Sequence, residues 1–357
     1  MALQALSRNY HTRRDIPYPA NSSQLELMRS FVWLLKGCLR DQVSTGTTGA
    51  NSRHANSIWT HVSSCDSSTT SSGSDLWGAT YTNTALVWAA DGAAHSWWVG
   101  QNTTLGVQIC IDLQNATNTN ILISMTPISQ PFTGGSTTSR PTNASYEVNL
   151  GYNTYNLSNF IAFQADTTTG NTNYAQFTCA DDGSFYILGT RQTLGWPTCA
   201  LAIQKTATST DWPASGSDAN RVLLMRFAPT VASPGPFVHD TVANDPSYCA
   251  ALLPNNTRAN QGGFMKYVFG GVAFPNSELP QDVYTSAYPC LPLAVLQWRS
   301  SGGITQTTLR GVVPDWWIHP NRTQIFPGQT NDPGGVISHI ATGDFFLPWN
   351  GSAGPTL

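Results

Sequence analysis

Hydrophobic and polar residues alternate with a period of two along much of the chain after Leu76. In the stretch 107–113, Val, Ile and Leu residues alternate with Gln, Cys and Asp, and Ile121, Ile123 and Met125 repeat the pattern. Successive side chains of a strand point to opposite faces of a sheet, so this alternation predicts half-buried β-strands. Further strands are predicted at 200–206, 221–228, 265–274, 293–299 and 304–312.

Two Asp-Gly pairs lie between apolar runs and predict β-hairpins. Asp91-Gly92 separates ALVWA from HSWWV, and Asp182-Gly183 separates YAQFTCA from SFYILGT. Both residue types tolerate the positive φ angles of tight hairpin turns, which makes Asp-Gly a strong short-range hairpin signal. The two pairs therefore favour antiparallel pairing of the strands that flank them.

One segment, residues 22–40, has the residue spacing of an amphipathic helix. Ser22 and Ser23 offer an N-cap ahead of it. Its apolar residues recur every three or four positions and form one stripe: Leu27, Met28, Phe31, Leu34, Leu35 and Cys38. This spacing predicts a helix that ends near Arg40. A Ser/Thr/Gly-rich loop with room for one short strand is predicted to follow it, up to Asp75.

Closely spaced strands, separated by 30 Gly and 22 Pro residues, predict a mainly β fold. We expect an antiparallel β-sandwich or barrel-like core with one N-terminal amphipathic helix and long loops. The Pro-rich stretch 229–237 is the best internal boundary. The predicted regions are an extended N-terminal arm (1–21), a helix plus loop (22–75), a β-sandwich-like core (76–228) and a second loop-rich β region, separate or continuous with the core (229–357).

Charged residues are unusually scarce. They make up 10% of the 357 residues, with a net charge of −3, whereas about 25% is typical of soluble domains. The near-neutral balance, with lysines only at 36, 205 and 266, lacks the basic footprint of a nucleic-acid binder. No apolar run approaches the roughly 20 residues that cross a bilayer. We therefore expect neither nucleic-acid binding nor membrane insertion.

The N-terminal sequence and the cysteines bear on the compartment. The start MALQALSRNYHTRR has no continuous apolar stretch typical of a secretory signal. The seven cysteines form no C-x-x-C pair, and their odd number argues against a complete disulfide framework. We expect free, mostly buried thiols in a chain made in a reducing cytoplasm.

Recognisable catalytic and metal-binding motifs are absent from the sequence. It contains no Gly-x-Ser-x-Gly, His-Glu-x-x-His or Gly-x-x-x-x-Gly-Lys-Ser/Thr pattern. His61 and Cys65 have the spacing of two zinc ligands on a helix, but no second ligand pair follows. Asp181-Asp182-Gly183 lacks the spaced oxygen ligands of a calcium loop, so a hairpin turn is favoured. We expect no catalytic residue, cofactor or metal ion, although two carboxylates distant in sequence would also suit a glycosidase.

Two tryptophan doublets are the candidate binding residues: Trp97-Trp98 and Trp316-Trp317. Adjacent strand residues point to opposite faces, so each doublet is expected to place one Trp inward and one outward. An outward Trp stacks on a sugar ring, joins a protein interface, or is covered by the same chain. Interface or intramolecular cover is favoured over sugar binding.

The scarcity of charge favours a role in assembly. Burying an unpaired charge at an interface costs several kcal/mol, whereas hydroxyl and amide groups are satisfied by neighbours or by water. A surface of Ser, Thr, Asn and Gln therefore suits a subunit that contacts others on many sides, or a protein displayed outside the cell. A virus particle released by lysis satisfies both conditions without a secretory signal.

Several strings, in this order, resemble a group of virion structural proteins from tailed bacteriophages. The strongest are AHSWWV (94–99), VQICIDL (107–113) and FTGGSTTSRP (132–141). Supporting strings are WTHVSSCDSS (59–68), DGSFYILGTR (182–191), LRGVVPDWW (309–317) and GDFFLPWNGS (343–352). The likeness runs from about residue 25 to the C-terminus. It implies a part of the tail, baseplate, or fibre and collar attachment, and it implies no catalytic residues.

The resemblance implies a β-rich subunit that folds in a bacterial cytoplasm and enters a virion as a symmetric oligomer, a ring or a trimer. Its partners would be copies of itself and other virion proteins. The arm before the helix would tie subunits together. Two alternatives stay open: a lectin-like module on the tail that binds a host glycan or receptor, and a depolymerase or other hydrolase.

Overall fold

The structure is a computed structural model of the chain. It describes residues 6–18, 35–36, 39, 58–77, 95–114, 120–149, 173–191, 197–207, 222–227, 248–252, 263–267, 291–301, 304–318, 339–342 and 345–348. The strands within these residues are β1 (Tyr10–Tyr18), β2 (Thr60–Asp66), β3 (Thr70–Ser71), β4 (His95–Asn102), β5 (Val107–Gln114), β6 (Asn120–Pro127), β7 (Val148–Asn149), β8 (Asn173–Ala180), β9 (Phe185–Arg191), β10 (Pro197–Lys205), β11 (Val222–Phe227), β12 (Tyr248–Leu252), β13 (Gly263–Tyr267), β14 (Leu291–Ser301), β15 (Ile304–Ile318), β16 (His339–Thr342) and β17 (Phe345–Pro348).

These strands form three sheets. Sheet I has the order β3-β2-β4-β5-β6-β7, sheet II the order β1-β8-β9-β10-β11-β12, and sheet III the order β13-β14-β15-β17-β16. Pairing is antiparallel between the strands of each sheet, as between β4 and β5, β8 and β9, and β14 and β15. The expected mainly β, antiparallel fold is confirmed for the described residues.

The predicted strands recur at or near their predicted positions. The alternating stretch 107–113 lies in β5, and Ile121, Ile123 and Met125 lie in β6. Between Gln42 and Asp75, where one short strand was expected, β2 and β3 both form. Period-two patterning is a good guide for β5 and β6, whose described apolar residues are buried.

The Asp182-Gly183 hairpin is confirmed. Gly183 has a φ of 81°, and its N–H donates to the Ala180 carbonyl at 2.9 Å. The Asp182 carboxylate accepts from the backbone N–H of Ser184 at 2.8 Å, an Asx-type contact that closes the turn. The second pair, Asp91-Gly92, lies outside the described residues.

The N-terminal region is described in part. Of the predicted helix 22–40, only Leu35, Lys36 and Leu39 are described, and these have helical backbone and are buried; the rest lies outside the described residues. The predicted arm is extended from Tyr10 to Tyr18, where β1 pairs with β8 of the same chain.

The predicted boundary at 229–237 also lies outside the described residues. Sheet II continues past it to β12, and sheet III contains the strands from β13 onward. The division into four regions stays a prediction. Among the described residues, no helix combines the length and the apolar character needed to cross a membrane.

Candidate functional site

The three strongest strings of the resemblance come together on one face of sheet I. AHSWWV contributes β4 and VQICIDL contributes β5, which pair over their full length. The segment 128–147, which contains FTGGSTTSRP, follows β6 and contacts both strands. The Phe132 N–H donates to Gln108 Oε1 at 3.2 Å, and the His95 N–H donates to the Thr137 carbonyl at 2.8 Å. We call this segment the covering loop.

Trp97 is the centre of this face. Its side chain is buried in a cluster with Cys65, Val99 and Cys110, the first of which pairs with it from β2. The indole N–H donates to the Ser136 carbonyl of the covering loop at 3.0 Å. The polar N–H and the apolar ring of Trp97 therefore both find their contacts within the chain.

A glycine lets the covering loop approach Trp97. Gly135 has a φ of 97°, and a Cβ built there would lie 2.8 Å from the Trp97 ring. Its neighbour Gly134 has a φ of 73° but no atom within 4 Å of the same position. Gly135 is therefore required both by close packing and by backbone conformation, whereas Gly134 is required by backbone conformation alone.

Two pairs of ionisable side chains belong to this region, one on β4 and β5 and one within the covering loop. His95 Nδ1 lies 3.1 Å from both carboxylate oxygens of Asp112, and Arg140 Nη2 lies 2.8 Å from Glu147 Oε1. Asp112 is 1% exposed. Burial, the largest influence, raises the pKa of Asp112 above its ordinary value of 3.8, against opposing effects of His95 and Arg140.

The His95–Asp112 pair has the geometry of a histidine oriented by a carboxylate, as in a nucleophile–base–orienter triad. A triad also needs a nucleophile at the second ring nitrogen, and no described residue bonds to His95 Nε2. The nearby thiols are poor candidates, because burial raises the pKa of both Cys65 and Cys110. Within the described residues, the pair holds a strand end beneath the covering loop and has no catalytic partner.

The opposite face of β4 is also covered. Trp98 is fully buried, and its indole N–H donates to Asp75 Oδ2 at 3.1 Å. Lys36 Nζ lies 3.0 Å from the same oxygen, and His61 lies beside the Trp98 ring with 6.4 Å between ring centroids. Gly100 makes room for the ring, since a Cβ there would lie 2.3 Å from it.

For the first doublet, the expected opposite orientation is found, and the outward residue is covered by the same chain, which is one of the favoured alternatives. Trp97 and Trp98 do point to opposite faces of β4, but they are 2% and 0% exposed because the same chain covers both faces. The expectation holds for the second doublet. Trp316 is buried, edge-on to Tyr186 with 5.8 Å between centroids, whereas Trp317 is half-buried.

His61 and Cys65, which have the spacing of two zinc ligands, lie in sheet I. They lie on a strand rather than a helix, and each has another partner: His61 Nε2 contacts Ser64 Oγ at 3.1 Å, and Cys65 Sγ donates to the His95 carbonyl. No group of three His, Cys, Asp or Glu side chains among the described residues is arranged to hold a metal ion. Cys65, Cys110 and Cys179 are buried and form no disulfide.

A second polar cluster lies where the three sheets meet, at the β8–β9 turn. The Gly183 carbonyl accepts from Trp59 Nε1 at 3.0 Å and the Asp182 carbonyl accepts from Asn102 Nδ2 at 3.3 Å, which joins sheet I to the turn. The Asp182 carboxylate lies 3.3 Å from Arg8 Nη1, and Arg8 also lies 3.6 Å from Asp315 of β15. This cluster thereby joins sheets I, II and III.

No pattern in the sequence predicts this cluster. Arg8 and Asp315 are 307 positions apart, so no local spacing links them. The structure itself marks the position of Asp315, which has a φ of 67° although it is not glycine. An Asp at positive φ is uncommon and marks a position that its surroundings fix. Here Asp315 accepts hydrogen bonds from the Ser7 N–H and from the Tyr10 hydroxyl.

Comparison with known proteins adds no identification. No protein-family model, curated protein or solved structure matches this chain.

Proposed function

We propose that this chain is a non-catalytic structural subunit of a tailed-phage particle, in the tail, baseplate, or fibre and collar attachment. It would fold in the bacterial cytoplasm and join copies of itself and other virion proteins in a symmetric oligomer. Its described antiparallel sheets would belong to a sandwich-like core. The observation that carries the proposal is the internal use of the few charged side chains.

The described ion pairs lie inside the chain. They are Arg8 with Asp182 and Asp315, Lys36 with Asp75, His95 with Asp112, and Arg140 with Glu147, and every side chain in them is 22% exposed or less. They contain 8 of the 37 charged residues of the chain (17 Lys+Arg and 20 Asp+Glu). The sequence is otherwise rich in the neutral polar residues Ser, Thr, Asn and Gln.

A neutral polar surface favours close, permanent contact. Desolvating a hydroxyl or an amide is far less unfavourable than desolvating an ion, and water bridges imperfect contacts. The exposed part of the covering loop, with Thr133, Gly134, Thr138 and Ser139, is a surface of this kind. Contacts of this type gain little from long-range charge attraction, so the resulting assembly should resist salt.

The resemblance supports the same role. Its strongest strings are β4, β5 and the covering loop, which contact one another, and its supporting strings supply β2, the β8–β9 hairpin and the Asp315 region. The strings therefore contribute many of the contacts described above, including the Trp59–Gly183 and Tyr186–Pro348 hydrogen bonds between sheets. A non-enzymatic role is consistent with His95, whose Nδ1 is held by Asp112 and whose Nε2 has no nucleophile as a partner among the described residues.

The mass of the purified chain tests the proposal. We expect light scattering and native mass spectrometry to give one discrete oligomer, with the same subunit number in 0.1 M and 1 M NaCl. A chain that stays monomeric up to about 100 μM would contradict the proposal. An oligomer that dissociates at 1 M NaCl would contradict the argument from neutral contacts.

A lectin-like module is the second candidate, and Trp317 is the observation that favours it. Trp317 is half-buried, so part of its ring is available to stack on a sugar, whereas Trp97, Trp98 and Trp316 are buried. A glycan array probed with the wild-type chain and with Trp317→Ala tests this role. Binding that is lost in the variant would favour the lectin-like module over a purely structural subunit.

A further inference from the structure

The N-terminal segment binds a site made by the other end of the chain. We call Ser7–Tyr18 the strap, and we call the side chains and carbonyls that hold its first residues the socket: Asp182, Gln204, Pro314 and Asp315. The hydrogen bonds between the two span at least 174 positions of sequence. The socket thus forms from β9, β10 and β15 and their connections, without any residue of the strap.

The socket matches the strap in charge and in hydrogen-bonding groups. Arg8 Nη2 donates to Gln204 Oε1 and to the Pro314 carbonyl, both at 3.1 Å, and Nη1 lies 3.3 Å from Asp182 Oδ2. Asp315, whose side chain is 5% exposed, accepts from the Ser7 N–H at 2.6 Å and from the Tyr10 hydroxyl at 2.8 Å. A guanidinium facing two carboxylates and two neutral oxygens is a specific fit for this segment.

The strap also lies at one edge of its sheet. It ends in β1, which is an edge strand and pairs only with β8. Its removal therefore breaks one ladder and the socket contacts, and it leaves the order β8 to β12 intact. Residues 19–34 then separate β1 from the helical Leu35, a connection of sixteen residues that spans at most about 55 Å.

We propose that in the assembled oligomer the strap of each copy occupies the socket and the β8 edge of a neighbouring copy. The partner is a second copy of this chain, because the socket binds Ser7, Arg8 and Tyr10 of this strap. The contacts are the same within one chain and between two, so exchange gives up no interaction and links the subunits. This inference rests on the proposed oligomeric function.

A single cysteine substitution distinguishes exchange from intrachain docking. His11 is the ladder partner of Cys179, a buried thiol that forms no disulfide. Directly paired strand residues are close enough for a disulfide. In His11→Cys we expect mild oxidation of the oligomer to give chains linked in pairs or longer series on a non-reducing gel, reversed by dithiothreitol. The matched control, His11→Cys with Cys179→Ser, should give no such product.

The outcomes separate this inference from the proposed function. A wild-type oligomer of discrete mass in which His11→Cys forms only intrachain disulfides would overturn strap exchange and leave the structural role standing. A wild-type chain that remains a monomer would overturn both. Interchain links in the oligomer support exchange.

If the disulfide does not form, a complementation experiment with two charge-reversal variants tests strap exchange. Arg8→Asp and Asp315→Arg each place like charges in the strap–socket contact, so each variant alone should lose most of the oligomer. In an equimolar mixture of the two, a strap with Arg8 meets a socket with Asp315 only between different chains. Recovery of at least half of the wild-type oligomer supports exchange, and no recovery above the separate variants overturns it.

Discussion

At the scale of single residues, Gly134 and Gly135 offer a matched test of the contact between the covering loop and Trp97. Both have positive φ, but only a Cβ at Gly135 would meet the Trp97 ring, at 2.8 Å. We expect Gly134→Ala to lower the free energy of unfolding by about 1–2 kcal/mol through backbone strain. Gly135→Ala should lower it by about 1–3 kcal/mol more because the packed ring must move.

Urea unfolding followed by tryptophan fluorescence measures both variants. The native emission of Gly135→Ala should also shift relative to the wild type, whereas that of Gly134→Ala should not. Equal losses of stability in the two variants would show that the covering loop does not pack on Trp97 as described.

The buried carboxylate of Asp112 predicts a pH dependence of stability. Burial raises its pKa above 3.8 in the folded state, so the folded chain binds this proton more tightly than the unfolded chain does. The resulting stabilisation is complete below pH 3.8 and is lost as the pH rises through the folded pKa. We therefore expect Asp112→Asn, compared with the wild type, to become relatively more stable between pH 4 and pH 7 in urea titrations.

Asp66 is the control, because its pKa is shifted in the opposite direction from that of Asp112. Burial acts to raise the pKa of Asp66, but hydrogen bonds from Ser68 and Thr69 lower it below 3.8. Its stabilisation is present above the unfolded pKa and is lost as the pH falls through the folded pKa. Relative to the wild type, Asp66→Asn should become less stable as the pH rises. If both variants change in the same direction, the argument from burial at Asp112 is wrong.

At the scale of elements, one buried ion pair holds the N-terminal helical residues on sheet I. Lys36 is 1% exposed, and its Nζ lies 3.0 Å from Asp75 Oδ2. We expect Lys36→Met to lower the free energy of unfolding by about 3 kcal/mol, since it leaves the Asp75 carboxylate without its cation. Breaking a buried ion pair costs about 3–5 kcal/mol. We expect the lower value because the backbone N–H of Trp77 and the indole N–H of Trp98 still donate to Asp75.

The double variant Lys36→Met with Asp75→Asn checks this explanation by chemical denaturation. It removes both charges, so it should recover more than half of the stability that Lys36→Met loses. A double variant less stable than Lys36→Met would mean that Asp75 acts through its hydrogen bonds to the tryptophans and not through the ion pair.

Sequence analysis was accurate for the strands and for the hairpin at Asp182-Gly183 because both are local signals. Alternation at 107–113 and the turn preference of Asp-Gly depend on residues next to one another. The burial of both Trp97 and Trp98 was not predictable in this way. It depends on the covering loop at one face and on Asp75 and Lys36 at the other, and no periodicity specifies which distant segments cover a strand.

At the scale of the whole molecule, the described parts of the three sheets are joined by individual side-chain contacts and by a backbone bridge between Ala207 and Val312. The β8–β9 turn receives hydrogen bonds from Trp59 and Asn102 of the sheet I region. Tyr186 of β9 links sheet II to sheet III through its hydroxyl, which donates to the Pro348 carbonyl, and through its edge-on contact with Trp316. Removal of one such link should therefore loosen one sheet more than the others.

Tyr186→Phe tests this consequence. Burial raises the pKa of Tyr186, so its hydroxyl stays protonated and donates at all ordinary pH values. The substitution keeps the ring and leaves the buried Pro348 carbonyl without its donor, a loss of about 1–3 kcal/mol. If sheet III opens separately from the others, amide exchange in β15 and β17 should quicken by about 5- to 150-fold.

Amides of β4 and β5 in sheet I should keep their wild-type exchange rates in this variant. Tyr146→Phe, a change at a half-buried tyrosine of the covering loop, is the control and should leave β15 and β17 unaffected. Faster exchange in all three sheets of Tyr186→Phe would show that they open as one cooperative unit. Tyr186 would then contribute to global stability, and sheet III would not be a separately opening part of the molecule.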